Sequence, residues 1–275
     1  MKFLARALCT CLLFLMPLAA LAADPVAFVS DFRGEVAMNG AGRPSFLAEL
    51  LPGTRLVLGR DGSASVMYVV TGEEFSLKGP GEFVVTRQGV KAEKGSAPSS
   101  RVPAVKANTA ILVQTSRAAT ASLRMRSAPA PKGERAGPAY PVGAKIATLQ
   151  PTLRCAGDAG ASHSVVVTTT AGGEVFRGSV KGTSIRLPVR LAAGQGYAWT
   201  CAAGSGEPAE ARFETLPAEA IAAAEKARAA ARTFPDRVLF AMLLQEIGAA
   251  QDSREVWAQL AEERPDIPEL AGLAR

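Results

Sequence analysis

The chain has 275 residues, with 31 basic and 25 acidic side chains, a formal charge of +6, one histidine and four cysteines. That inventory excludes most acid/base, thiol and transition-metal chemistry, which needs imidazoles and thiols the chain scarcely carries. Its basic residues stand singly rather than in blocks, so the charge leaves no nucleic-acid footprint.

The chain opens on Met1-Lys2-Phe3-Leu4-Ala5-Arg6, followed by an apolar run from Ala7 to Ala23 that includes Ala20-Leu21-Ala22. A positive start, a short apolar stretch and small residues at the cleavage position predict a secretory signal peptide over residues 1–22, cut after Ala22. The run is shorter than the roughly 20 residues a spanning helix needs, so no transmembrane segment is expected after cleavage. Cys9 and Cys11 leave with the signal, and neither follows the small residues that precede a lipid-modified cysteine. The mature chain is expected in the periplasm or secreted.

From Val26 to Lys94 the sequence reads as short apolar or alternating runs: Val26–Val29, Gly34–Met38, Arg55–Leu58, Ala64–Val70, Glu74–Lys78, Glu82–Thr86 and Gly89–Glu93. Turns at Asn39-Gly40, Pro52-Gly53, Asp61-Gly62 and Pro80-Gly81 separate them, which predicts a compact all-β module. In Ser65-Val66-Met67-Tyr68-Val69 both alternating sets are apolar, as expected of a strand covered on both faces.

Gly34-Glu35-Val36, Leu51-Pro52-Gly53-Thr54-Arg55-Leu56, Arg60-Asp61-Gly62-Ser63-Ala64-Ser65-Val66 and Glu73 to Phe83 together resemble the FecR domain. That family takes its name from a ferric citrate transport regulator whose periplasmic region receives a signal from an outer-membrane receptor. The resemblance implies an exported β module and covers about Pro25 to Glu93. It does not imply the regulator's anti-sigma role, which needs a cytoplasmic segment and a membrane helix where this sequence begins with its own signal. The glycines have a local reading as tight turns. We assign residues 23–127 to this module. They include a surface connection over 95–109 and Ala110-Ile111-Leu112-Val113 as an added strand. Residues 128–141 hold four prolines and read as the principal linker, with relative motion of the flanking domains expected.

Residues 142–215 restart the β pattern in seven runs: Ile146–Leu149, Thr152–Cys155, Ser164–Thr170, Glu174–Val180, Ser184–Leu187, Tyr197–Ala202 and Ala209–Thr215. Their spacing suits a small sandwich. Leu191-Ala192-Ala193-Gly194-Gln195-Gly196-Tyr197-Ala198-Trp199 resembles the late-strand pattern of fibronectin type III-like domains. Cys155 and Cys201 are the only cysteines left after export and are expected to form a structural disulfide. His163, in Gly160-Ala161-Ser162-His163-Ser164, reads as a surface or turn residue leading into Val165. The acidic pairs Glu73-Glu74 and Glu262-Glu263 read as solvated charge.

At Leu216 the composition turns to Ala, Glu and Arg, predicting a helical segment over 216–275. A first helix over Pro217–Arg232 precedes Thr233-Phe234-Pro235-Asp236, a connection with Thr233 as cap and Asp236 three residues on. Gly248 closes the second helix, Asp252 and Glu255 repeat the cap-plus-three pattern, and Pro265 stops the third. Val238 to Gly248 with Val256 to Leu260 resembles a single degenerate tetratricopeptide-type hairpin, which alone forms no repeated groove.

The fold class expected is therefore mainly β: a FecR-like module, a linker, an immunoglobulin- or fibronectin-like sandwich and a short helical end. The function expected is that of a non-enzymatic periplasmic scaffold or adaptor for an envelope protein, without cofactor, metal or nucleic acid. The alternative is a module that binds peptidoglycan or polysaccharide. Tyr68, Tyr197, Trp199 and Trp257 are the candidate binding residues, each with a competing place in the core.

Overall fold

The computed structural model describes residues 24–105, 109–124, 137–203 and 208–275; the expected signal over 1–22 lies outside them. The protein is mainly β. Nine short strands build the first module: β1 (Ala27–Arg33), β2 (Val36–Met38), β3 (Glu49–Leu50), β4 (Arg55–Leu58), β5 (Ser63–Tyr68), β6 (Glu74–Lys78), β7 (Gly81–Val85), β8 (Val90–Lys94) and β9 (Ser99–Arg101). They pair into two sheets of order β3-β1-β5-β6-β9 and β2-β4-β7-β8, antiparallel throughout.

The glycines of the first module are needed where backbone meets backbone. Gly34 has a φ of +65°, and a Cβ there would sit 2.4 Å from the Asp61 carbonyl oxygen. At Gly79 a Cβ would fall 1.8 Å from the Gly59 oxygen. The segments are tied by backbone bonds from Gly59 N to Glu35 O, Gly62 N to Gly59 O and Gly79 N to Gly62 O. No side chain fits at that crossing.

Ala110 to Val113 form no strand. They begin helix α1 (Thr109–Arg124), in which Leu112, Thr115, Ser116 and Ala119 are buried. That spacing is a helical face, and Ser116 Oγ donates to the Leu47 carbonyl at 2.9 Å. The apolar run was too short to separate helix from strand by period.

Eight strands form the second module: β10 (Gly137–Tyr140), β11 (Ala144–Ile146), β12 (Thr152–Ala156), β13 (Ser162–Thr169), β14 (Glu174–Lys181), β15 (Ser184–Arg186), β16 (Gly196–Ala203) and β17 (Ala209–Thr215). Their sheets run β10-β12-β15 and β11-β17-β16-β13-β14, with β11 parallel to β17. Cys155 on β12 is bonded to Cys201 on β16 across a Cα–Cα distance of 6.0 Å, joining the two sheets through a core that includes Ile146, Leu153, Val165, Val167, Leu187, Trp199 and Phe213. The predicted linker is thus shorter at its end: 137–140 is strand β10, paired with β12.

Four helices close the chain: α2 (Ala218–Ala230), α3 (Phe234–Glu246), α4 (Ala250–Glu263) and α5 (Glu269–Leu273). Thr233 caps α3 as expected: its hydroxyl accepts from the Asp236 N–H while the Asp236 carboxylate accepts from the Thr233 N–H. Gly248, at φ +88°, follows the end of α3, and Pro265 follows the end of α4. The cap-plus-three reading of Asp252 is corrected. Helix α4 starts earlier, after Ala249, so Asp252 lies inside its first turn.

The helices pack on the first module. Phe46, in the loop before β3, meets Phe234 and Trp257 edge-on at 6.3 and 6.2 Å between centroids, and α3 lies against β1. This explains why Ala27, Phe28 and Val29 are all fully buried: the helices cover the sheet face that the partner sheet leaves open. One hydrophobic core spans Phe28, Leu56, Phe83, Leu112, Leu239, Trp257 and Leu270.

Polar staples finish this union. Arg264, 4% exposed, donates to Asp31 and Asp266 and to the Phe32 carbonyl, with its guanidinium 5.2 Å from the Phe234 ring centroid. Arg101 on β9 bridges Glu74 and Asp236, the latter at 2.8 Å. Glu74 is therefore not the solvated charge its sequence suggests. It is 2% exposed, and burial raises its pKa against the pull of Arg101. Burial also pushes Asp236 up, but the bonds from Arg101 and Thr233 outweigh it and hold that carboxyl below its usual range.

Candidate functional site

The sandwich meets the helices through Ala147 and Leu149, which enter the core that holds the helices, and through polar groups. On the first turn of α4, Asp252 is buried and accepts from the Tyr140 hydroxyl of β10 and, at 2.7 Å, from the Ala147 N–H. Arg154 of β12 forks onto Glu255, one turn further along α4, with its guanidinium 4.7 Å from the Tyr140 ring centroid. Gln251 accepts from the Val142 N–H at 3.1 Å. Burial is the main cause that raises the Asp252 pKa, offset in part by Tyr140, Ala147 and Arg228. Burial also carries the Tyr140 phenol well above the ordinary tyrosine range, and the Asp252 charge adds to it.

Beside this junction lies a cleft of about 330 Å³ lined by Tyr140, Thr148, Arg228, Arg237, Phe240 and Val256 among others. Its lining combines apolar Ala231, Phe240, Leu244 and Val256 with polar Gln259, Asp252 and Glu255. Two arginines from different helices converge on it. Arg228, exposed on the last turn of α2, has its guanidinium 5.6 Å from the Phe240 ring centroid. Arg237 on α3 pairs with Glu263 at 2.5 Å, while its Nε is buried without an acceptor. A wider groove of about 830 Å³ between β11 and the α3–α4 turn is lined by Lys145 and Arg254, but those cations are already engaged, by Glu214 and by the Arg275 carbonyl.

The four aromatic residues chosen from the sequence are not brought together, and none offers an open face. Tyr68 is 2% exposed; its hydroxyl donates to the Thr86 carbonyl, and burial pushes its pKa up to about 12. Tyr197 is stacked on Phe213 at 5.4 Å and accepts from the Ala192 N–H. Trp199 donates to the Pro141 carbonyl at 2.8 Å, and Trp257 is held against Phe46. Each is a core residue whose polar atom finds a partner or whose ring fills the interior, the competing place that the sequence also offered.

His163 is likewise not a surface or turn residue. It lies on β13, fully buried, with Nδ1 2.9 Å from the Gly182 carbonyl. The converging residues Arg228, Arg237, Tyr140 and Gln259 were missed because they come from separate segments with no local motif. The one signal was Arg237 directly before the apolar run Val238 to Leu244. Among the described residues no helix is long and apolar enough to cross a membrane. Comparison with protein-family models and with curated proteins finds no match to this chain.

Proposed function

We propose that the chain is an exported, non-enzymatic scaffold of the cell envelope that holds an envelope protein at the cleft between β10 and helices α2 to α4. The observation that carries this reading is the cleft itself, where among the described residues sandwich and helices meet around the cationic side chains Arg228 and Arg237. The burial of Trp257 and of the apolar faces of α3 and α4 in the first module supports a scaffold over a loose docking arm. The signal-like start supports periplasmic or secreted location. The glycine crossing brings together Gly34, Gly62 and Gly79, which belong to the motif segments of the FecR resemblance, and supports that reading of the first module. The three-over-five sheet order, with a disulfide between facing sheets, supports the fibronectin- or immunoglobulin-like reading of the second.

Site-specific photocrosslinking in an envelope fraction tests the proposal. A crosslinker replacing Gln259 on the cleft rim is expected to capture one discrete protein, and the same group at exposed Glu49 on β3 is not. Capture of polysaccharide alone moves the reading to a cell-wall polymer. No capture at Gln259 overturns it.

A further inference from the structure

We infer that this cleft takes a carboxylate borne on a short, branched apolar group. The inference rests on the reading of the cleft as the ligand-facing surface and names the chemistry it accepts. The acids that share the cleft are already engaged: Glu255 by the fork of Arg154, and Asp252 by Tyr140 and the Ala147 N–H. The donors are not. Arg228 forms no ion pair among the described residues and stands against Phe240, and Arg237 is engaged by Glu263 through its terminal nitrogen while Nε has no acceptor. What the cleft lacks is an acceptor, and the planar fork of a guanidinium matches a carboxylate.

Charge and size narrow the class. Arg228 and Arg237 share the lining with Asp252 and Glu255, so its charge is balanced and favours a monoanion over a doubly charged phosphate. The apolar lining of Ala231, Phe240, Leu244 and Val256 would cover an aliphatic group. A volume of about 330 Å³ stands at the small end of ligand cavities, room for one leucine-sized group and its acid. Such a group is found in a free branched-chain acid and at the C-terminal residue of a polypeptide.

Calorimetric titration of the full mature protein decides it, with isocaproate, N-acetyl-leucine, acetyl-Ala-Ala-Leu and the neutral C-terminal amides of the last two. The acids are expected to bind, and each amide to bind at least about tenfold more weakly, the loss expected for a charged hydrogen bond. Arg228→Gln is expected to weaken the acids by a similar factor with little change in melting temperature, since its side chain is exposed and forms no salt bridge among the described residues; Arg228→Lys should recover part of the loss. Isocaproate binding as tightly as the peptide acid assigns a free acid, and binding by the peptide acid alone assigns a chain terminus. Equal binding of acids and amides, competition by inorganic phosphate at equal concentration, or undiminished binding to Arg228→Gln overturns the inference. If no acid binds while the Gln259 crosslink persists, the ligand class is wrong and the envelope-scaffold reading stands; if both fail, both fall.

Discussion

At the scale of single residues, two carboxylates, one buried and one exposed, act with opposite sign in pH. Asp252 is buried, and its pKa in the fold is raised, so folding favours its protonated form. Its contribution is complete below the ordinary carboxylate range and is lost as pH rises through the raised value. Asp252→Asn keeps an acceptor for Ala147 and a partner for Tyr140. The variant is expected to gain stability relative to the native protein as pH rises from acid toward neutral, read by urea midpoints across that range. Asp252→Ala strands the Tyr140 hydroxyl and the Ala147 N–H and is expected to cost about 2–4 kcal/mol. Asp266 is the converse: Arg264 holds its carboxyl far below the usual range, so its contribution is present above that range and lost as pH falls. The pairing of Arg264 with Asp31 is more deeply buried, and Arg264→Met is expected to cost about 3 kcal/mol by denaturant unfolding, because it leaves Asp31 and the Phe32 carbonyl without their donor. These residues were hard to read from sequence. Arg264 and Asp31 are separated by 233 positions, and the lone histidine sits in a Ser/Gly/Ala setting that resembles a turn, although the valines after it belong to the same strand.

At the scale of elements, the sequence was most legible where side chains alternate. β4 and β6 match their predicted spans, and six of the seven predicted runs of the second module coincide with strands, the run Ile146–Leu149 meeting β11 at Ile146 alone. β9 went unread because Ser99-Ser100-Arg101 is exposed along its length and carries no apolar signal. β10 went unread because prolines surround it. The face of α1 went unread because half of it is Thr and Ser. The disulfide was legible from cysteine arithmetic, and its removal by Cys155→Ala with Cys201→Ala is expected to cost about 4 kcal/mol through the unfolded state, with the loss confined to the transition that near-ultraviolet dichroism of Trp199 follows. Phe46 is the counterpart on the other side. It stands between a loop of the first module and two helices, so Phe46→Ala is expected to cost about 3–5 kcal/mol, reported by Trp257 fluorescence.

At the scale of the whole molecule, the order of modules along the chain differs from their order in space. The sequence suggested three consecutive units joined by a mobile linker; in the structure the first and last share a core, and the middle one leans on them through Asp252 and Glu255. The hint in the sequence was the doubly apolar strand β5, which required a cover that only the helices could supply. A fragment of residues 137–215 contains its own core and disulfide and is expected to fold alone with a dispersed amide spectrum. A fragment of residues 24–127 exposes Phe28 and Phe46 where the helices belong, and is expected to aggregate or bind apolar dyes.

The closure of Arg264 onto β1 also sets an order in time. The ribosome produces Asp31 long before Arg264, 233 residues later, so the first strands to emerge are among the last to find their full set of neighbours. A chain built this way completes the core of its first module only once its final helices are made.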